Sequence, residues 1–123
     1  MEQIHKIAKF RQLHETGCFV LPNPWDVGTT ICLESFGFSA LATTSAGLGF
    51  SLGIPDSIGT ISRDVTLNHI KDIVRATSLP VNADFQEGFA RCPDDLFENV
   101  KLCVATGVAG LSIEDAHIYL GIM

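Results

Sequence analysis

The sequence predicts an α/β protein built on a parallel β-sheet. Two observations lead to this prediction: four short apolar runs typical of buried strands alternate with amphipathic helical segments, and short turns join them. Strands that alternate with helices form right-handed βαβ units, in which neighbouring strands run parallel. No linker divides the chain, so residues 1–123 are expected to form one domain, and 46% hydrophobic content is enough for a buried core.

Each predicted element has its own start or stop signal. Asn23 and Ser62 are candidate helix caps, Pro24 and Pro93 are suited to a first helical position, and Gly17, Gly37 and Gly107 mark helix ends. Four helices are predicted, at about residues 4–13, 24–36, 63–79 and 93–106. Four strands are predicted, at about residues 18–21, 40–42, 81–84 and 109–114.

Charge and cysteine content exclude several classes of function. Fourteen acidic and eight basic residues give a net charge of −6, which disfavours binding to nucleic acid or to an anionic membrane surface. No apolar run approaches the length that spans a bilayer. The four cysteines lie far apart, without C-x-x-C spacing, so reduced thiols and a cytoplasmic location are expected.

A glycine-rich stretch, TTSAGLGFSLG at residues 43–53, raises the alternative of a dinucleotide-binding turn. That fingerprint requires G-x-G-x-x-G leading directly into a helix, because the helix N-terminus holds the pyrophosphate. Here the spacing is G-x-G-x-x-x-G, and Pro55 and Gly59 stand where the helix would continue. The stretch is therefore predicted to be a long loop that follows the second strand.

Polar residues follow each apolar strand, which predicts a functional site at one edge of the sheet, because the carboxyl ends of parallel strands gather there. Side chains alternate along a strand, so Asn82 and Asp84 are expected to point away from the helices, as Glu114 does on the next strand. Converging carboxylates repel one another unless a cation neutralises them, and oxygen ligands suit Mg²⁺ or Mn²⁺. Asp26, Asp64 and Asp115, taken singly, are more simply interpreted as caps or solvated loop residues.

Four segments in order resemble the strand-end motifs of the isocitrate lyase/phosphoenolpyruvate mutase superfamily, and its phosphonomutase-like members in particular. They are LPNPWDVGTT, ALATTSAGLGFSLGIPD, LPVNADFQEGF and GVAGLSIEDA. The resemblance extends from about Phe10 to Ala116. It implies a TIM-type (β/α)₈ barrel, of which this chain would supply the first half: an N-terminal helix and about four parallel strands with their helices.

The resemblance also implies a chemistry and a set of site residues. Members of the superfamily use Mg²⁺ to bind a small α-oxyacid or phosphonate and to stabilise an enolate while a P–C or C–C bond is made or broken. The implied catalytic and metal-shell carboxylates are Asp56, Asp84 and Glu114, with Asn82 as a further metal position. The implied substrate-binding residues are Thr43, Thr44 and Ser45, and Trp25 is a candidate to line the pocket.

The sequence departs from the superfamily pattern in two respects. Asn82 replaces the first aspartate of a D-x-D motif, which is expected to weaken Mg²⁺ binding because a charge is lost. The sequence after SIEDA, HIYLGIM, lacks the KKCGH-like segment that carries the catalytic cysteine of the lyase members, so isocitrate or methylisocitrate lyase activity is disfavoured.

Length leaves two hypotheses open. A complete barrel needs roughly 250 residues, whereas this sequence has 123. One hypothesis is a Mg²⁺-dependent enolate-forming enzyme; the other is a truncated product without activity of its own. If the half-barrel folds, its open sheet edges and apolar flank favour a homo-oligomer.

Overall fold

The computed structural model describes residues 2–57 and 59–115. The strands in this part of the chain are β1 (Leu41–Ala42), β2 (Val81–Asp84) and β3 (Gly110–Ser112). The helices are α1 (Gln3–Leu13), α2 (Val27–Ser35), α3 (Ser45–Ser51), α4 (Arg63–Arg75) and α5 (Pro93–Val104). The strands form one parallel sheet in the order β1-β2-β3, so the predicted α/β class is confirmed.

The central strand β2 has one buried apolar face and one polar face. Val81 and Ala83 are 1% and 0% exposed, and they belong to the main core, whereas Asn82 and Asp84 on the opposite face are half-buried. This is the alternation predicted from the sequence. The core beside β2 comes from α4, α5 and adjoining segments: Ile70, Ile73, Val74, Phe85, Cys103 and Val108.

Helix α1 is fixed at the amino end of the sheet by two side chains that lie about one turn apart. Gln3 Nε2 donates to the backbone oxygens of Val104 and Val108, at 2.9 and 3.0 Å. Lys6 Nζ, which is buried, donates to the Thr77 carbonyl oxygen at 3.0 Å. Helical spacing places these residues on one face, which therefore docks on the turns that lead into the strands.

The first predicted strand is wrong, and the last is shorter than predicted. Residues 18–21 lie in no strand, although the Pro22 carbonyl oxygen accepts a hydrogen bond from Ala42 N–H at 3.0 Å. Proline has no N–H to extend such a ladder. The final predicted strand, residues 109–114, is reduced to Gly110–Ser112.

The second helix begins later than predicted. Its N-cap is Asp26 rather than Asn23, because Asp26 and Thr29 form a reciprocal capping box: the Asp26 side chain accepts from Thr29 N–H at 2.7 Å and Thr29 Oγ1 accepts from Asp26 N–H at 3.1 Å. Asn23 donates instead to the Ala42 carbonyl oxygen, at 3.1 Å.

The prediction of a long loop over residues 43–53 is also wrong, because that stretch contains the seven-residue helix α3. Thr44 caps the helix by accepting from Gly47 N–H at 3.0 Å. Gly47 is required there, since a Cβ atom at this position would lie 2.5 Å from Thr44 Cγ2. The glycines thus allow a tightly packed helical turn to follow the strand.

No helix in residues 2–57 and 59–115 is long and apolar enough to cross a membrane.

Candidate functional site

Asp84 is hydrogen-bonded to the polar stretch that follows β1. Its backbone N–H donates to Thr43 Oγ1 at 2.9 Å, and its Oδ2 atom accepts from Ser45 N–H at 2.8 Å. Thr43 is 3% exposed, while Asp84 and Ser45 are half-buried. The structure therefore brings together predicted site residues that lie about 40 positions apart in the sequence.

Asn82 lies on the same face of β2 as Asp84, next to the adjoining strand. Asn82 Nδ2 donates to Ser112 Oγ at 3.0 Å, and Gly110 is its register partner on β3. A Cβ atom at Gly110 would stand 2.9 Å from Asn82 Oδ1, so glycine leaves room for the amide oxygen. Among the hydrogen bonds of the described residues, that oxygen accepts none.

Glu114 follows β3 and is exposed, and its backbone is joined to the loop after β2. Its N–H donates to the Gln86 carbonyl oxygen at 2.7 Å, while Gln86 N–H donates to Asp84 Oδ1 at 3.3 Å. Gln86 is therefore hydrogen-bonded both to the Asp84 carboxylate and to the backbone of Glu114. Glu114 also lines a cavity of about 320 Å³ with Glu87, Ala90, Leu96, Ile113 and Asp115.

Asp56 is the predicted site residue with the least structural support. It is exposed in the segment between α3 and α4, and within the described residues its side chain makes no hydrogen bond or ion pair with the other site residues. The structure therefore brings Asn82 and Asp84 together with the residues after β1, and links Glu114 through the backbone, but it does not join Asp56 to them.

The donor chemistry of this edge fits a hard divalent cation. Asn82 and Asp84 offer an amide oxygen and a carboxylate on one face of one strand, and the Asp84 oxygens keep further lone pairs beyond their two N–H partners. In the described part of the chain, no three His, Cys, Asp or Glu side chains form a cluster that could hold a metal. Mg²⁺ is commonly held by only one or two carboxylates together with water and substrate oxygens.

Trp25 lies beside α3 and next to the start of α2. Its Cβ atom is 3.1 Å from the position that a Cβ would occupy at Gly47, and its carbonyl oxygen accepts from His69 Nε2 at 2.8 Å. The side chain lines a cavity of about 160 Å³ with Thr29, Cys32 and Leu33.

Asp26, the residue after Trp25, has a carboxyl group whose pKa is lowered by the hydrogen bond from Thr29 N–H. A lowered pKa fits its role as a helix cap.

Two residues that were not predicted from the sequence support the loop after β2. Asn99 on α5 is 4% exposed and donates to the carbonyl oxygens of Gly88 and Phe89, both at 2.9 Å. Arg63 Nη1 donates to Asn99 Oδ1 at 2.9 Å. A signal was present: Asn99 falls between Leu96 and Cys103 at helical spacing, so a polar residue occupies the apolar stripe of α5.

Comparison with known proteins gives matches over most of the chain. Residues 10–120 match the family model for phosphoenolpyruvate phosphomutase. A 2-methylisocitrate lyase of Halalkalibacterium halodurans is 32% identical over 117 residues, which cover 89% of this chain and 36% of the lyase. A crystal structure of a protein assigned as a lyase/mutase from Burkholderia cenocepacia J2315 is 49% identical with a TM-score of 0.87, over 93% of this chain and 40% of that one.

Two further structures hold small organic acids. Oxaloacetate acetylhydrolase, in complex with its product oxalate, is 26% identical with a TM-score of 0.83, over 95% of this chain and 42% of its own. Phosphonopyruvate hydrolase, in complex with oxalate and Mg²⁺, shares the fold at 22% identity and a TM-score of 0.86, over 97% of this chain and 41% of its own. The chain thus spans about two fifths of the length of the proteins it matches.

Proposed function

Because the chain belongs to the phosphoenolpyruvate phosphomutase family, we propose that it carries part of a Mg²⁺-dependent site that stabilises the enolate of a small α-oxyacid while a P–C or C–C bond is made or broken. The observation that carries the proposal is the hydrogen-bonded group of Thr43, Ser45 and Asp84 at the carboxyl end of the sheet, with Asn82 on the same strand face. Ligand sites of parallel α/β folds lie at this end.

The cation would be held by Asp84 and Asn82, with Glu114 and Asp56 as outer carboxylates. When bound, Mg²⁺ supplies a Lewis acid that withdraws charge from the oxyacid as the enolate develops. The Ser45 and Gln86 N–H groups keep the Asp84 carboxylate in a fixed orientation. Asn82 is neutral, so the site binds the cation with less charge than two aspartates would provide.

The substrate would be oriented by the residues that follow β1. Thr43 and Thr44 are already engaged in holding Asp84 and the first turn of α3, so they fix the geometry of this stretch. Ser45 Oγ makes no hydrogen bond within the described residues, so this hydroxyl group is free to meet a carboxylate or phosphoryl oxygen. Trp25, 48% exposed beside Gly47, would border the same region.

The family match supports P–C chemistry and the lyase relatives support C–C chemistry. Relatives of this chain include 2-methylisocitrate lyases, whereas the sequence after SIEDA lacks the cysteine segment of lyase members. That position falls outside the described residues. The proposed reaction therefore includes both classes of bond.

Four other predictions remain proposals: the half-barrel architecture, the single domain over residues 1–123, the cytoplasmic location and the homo-oligomer. Exposed apolar side chains on and near α2 support the last of these; Val27, Ile31 and Phe36 are 43%, 56% and 71% exposed. Sedimentation of the purified chain would measure its mass in solution, and a monomer at all concentrations would overturn the oligomer.

The proposal is tested by thermal unfolding of the full chain with and without Mg²⁺ and oxalate, an enolate mimic. A ligand that binds only the folded state raises the melting temperature, and saturation at 100 times Kd contributes ~2.7 kcal/mol. For a domain of this size that corresponds to a shift of roughly 10 °C. We expect the pair of ligands to produce such a shift, and Mg²⁺ alone to produce less.

Asp84→Asn is the diagnostic variant, and Asp72→Asn on the exposed surface of α4 is its matched control. The first change removes the proposed inner carboxylate and should weaken Mn²⁺ binding at least about tenfold, as expected for loss of a group in or around a metal site. The second makes the same chemical change away from the site and should leave binding unaltered. Equal Mn²⁺ affinity in both variants, or no binding by the unmodified chain, would overturn the proposal.

A further inference from the structure

The loop between β2 and α5 has an unusual backbone. Gln86 and Phe89 have φ angles of 47° and 54°, and Gly88 has a φ of 79°. Non-glycine residues rarely adopt this left-handed region, and the conformation persists only where surrounding structure enforces it. Gly88 has a second constraint, since a Cβ atom there would lie 2.3 Å from Leu96 Cδ1.

Asn99, on α5, supplies hydrogen bonds that hold this loop. Its two amide hydrogens go to consecutive carbonyl oxygens, those of Gly88 and Phe89, and its own oxygen accepts from Arg63. Both polar atoms of a nearly fully buried side chain are thus hydrogen-bonded, one to the loop and the other to an arginine. Because Arg63 can only donate, it determines which end of the Asn99 amide faces the loop.

The loop held by Asn99 is the one that joins the Asp84 carboxylate to the backbone of Glu114. Gln86, two residues before Gly88, donates its N–H to Asp84 Oδ1 and accepts from the N–H of Glu114. A shift of the Gln86 peptide would therefore move the Asp84 carboxylate relative to the backbone of Glu114. Arg63 lies between this loop and the segment that follows α3, and it lines a cavity of about 300 Å³ with Gly59 and Phe89.

We propose that Asn99, held by Arg63, is a positioning residue that sets the separation of Asp84 and Glu114 by fixing the left-handed turn at residues 86–89. Any effect of Asn99 on catalysis rests on the proposed function. Asn99 touches neither carboxylate itself, so it acts through the loop backbone.

Two variants of Asn99 separate positioning from general packing. Asn99→Asp has almost the same shape and keeps a partner for Arg63, but it cannot donate to the two carbonyl oxygens. Asn99→Ala removes the whole amide group. Cys103→Ala is the control, because Cys103 is 0% exposed one turn further along α5 and contributes to the core rather than to the loop.

The first measurement is amide hydrogen exchange at Gln86 and Glu114, which needs no ligand. Both Asn99 variants should accelerate exchange at these two amides more than at the amides of β2, whereas Cys103→Ala should change exchange only in proportion to its loss of global stability. Equal protection of the two amides in Asn99→Asp and in the unmodified chain would overturn the positioning role.

The second measurement is Mn²⁺ affinity in the presence of oxalate, well below the melting temperature of each variant. Outer-shell substitutions weaken metal binding by about 10- to 100-fold, and we expect this loss in Asn99→Asp but not in Cys103→Ala. If Asn99→Asp binds Mn²⁺ as tightly as the unmodified chain does, the positioning role of Asn99 is overturned and the proposed function is not. Failure of the unmodified chain to bind Mn²⁺ overturns the proposed function, while the exchange data still decide whether Asn99 fixes the turn.

Discussion

Each end of the sheet has a buried polar side chain that donates to backbone carbonyl groups, but one of these side chains fixes a helix and the other fixes a loop. At the amino end, Lys6 donates to the Thr77 oxygen and fixes a helix. At the carboxyl end, Asn99 donates to two oxygens and fixes a loop that connects Asp84 to Glu114. The amino end is thus organised for stability, and the carboxyl end for the placement of polar groups, as in α/β folds generally.

The chemistry of the two anchors differs for a physical reason. Lys6 carries a charge into a buried position, and burial lowers its pKa, partly offset by the Glu34 carboxylate. Asn99 is neutral, so its burial requires only hydrogen-bond partners, which it has. The Asn99 side chain therefore adds no charge of its own to the loop, and the charged group hydrogen-bonded to it is the Arg63 guanidinium.

The largest effect should come from the amino end. Phe10→Ala removes an aromatic side chain that is 8% exposed beside Gly110, and loss of such a group costs about 3–5 kcal/mol of unfolding free energy. Urea unfolding measures this loss. Phe97→Ala makes the same change at an exposed residue of α5 and should cost less than ~1 kcal/mol. Similar losses in the two variants would contradict the assignment of stability to the α1 interface.

At the carboxyl end, Asn82→Asp should strengthen cation binding. It restores a charge next to Asp84 with little change of shape, and we expect Mn²⁺ affinity to rise by roughly tenfold, or ~1.4 kcal/mol. Ser112 Oγ can reverse its role and donate to the new carboxylate. Asn68→Asp, on the exposed surface of α4, adds the same charge elsewhere and serves as the control for calorimetric titration. Equal gains in both variants would show that net charge, not position, is responsible.

The smallest effect should come from Lys6→Met, which tests the charged anchor. The pKa of Lys6 is 10.5 in the unfolded chain and lower in the folded chain. At pH values between the folded and the unfolded pKa, the unfolded chain binds more protons, so stability rises with pH. At pH 7 the variant should therefore be within ~1 kcal/mol of the unmodified chain, and its stability relative to that chain should fall as the pH approaches 10.5.

The Cys103 thiol titrates in the same pH range and also contributes to the pH dependence of stability. Burial raises the pKa of its thiol from 9.0 to about 11, so the folded chain keeps a proton that the unfolded chain loses, and stability falls across this window. Lys6→Met should show this fall without the opposing rise. Urea unfolding from pH 7 to 10.5, with Lys71→Met on the surface of α4 as the control, distinguishes the two contributions; identical pH profiles for both variants would contradict a buried Lys6 charge.

Residues with a strong local pattern were predicted correctly from the sequence. Alternation in residues 81–84 placed Val81 and Ala83 in the core and Asn82 and Asp84 on the other face. The Ser62 cap and Pro93 start of the last two helices were also correct. By contrast, Asp26 capped α2 in place of Asn23, because the reciprocal bonds with Thr29 outweigh a single candidate cap. Asn23 and Asp26 are both candidate caps, and the choice between them depends on the hydrogen-bond partners that each can reach. Matching single residues to a cap pattern does not take those partners into account.

The sequence by itself determined the α/β class, the polar carboxyl edge of the sheet and the oxygen-rich donors Asn82 and Asp84, because these follow from periodicity and residue type within a few positions. Only the tertiary structure decided that Asp84 is fixed by Thr43 and Ser45, and that Asn99 reaches across to the loop at residues 86–89. Contacts of this kind join residues 10 to 41 positions apart. They depend on how helices and strands pack, which local sequence patterns do not encode.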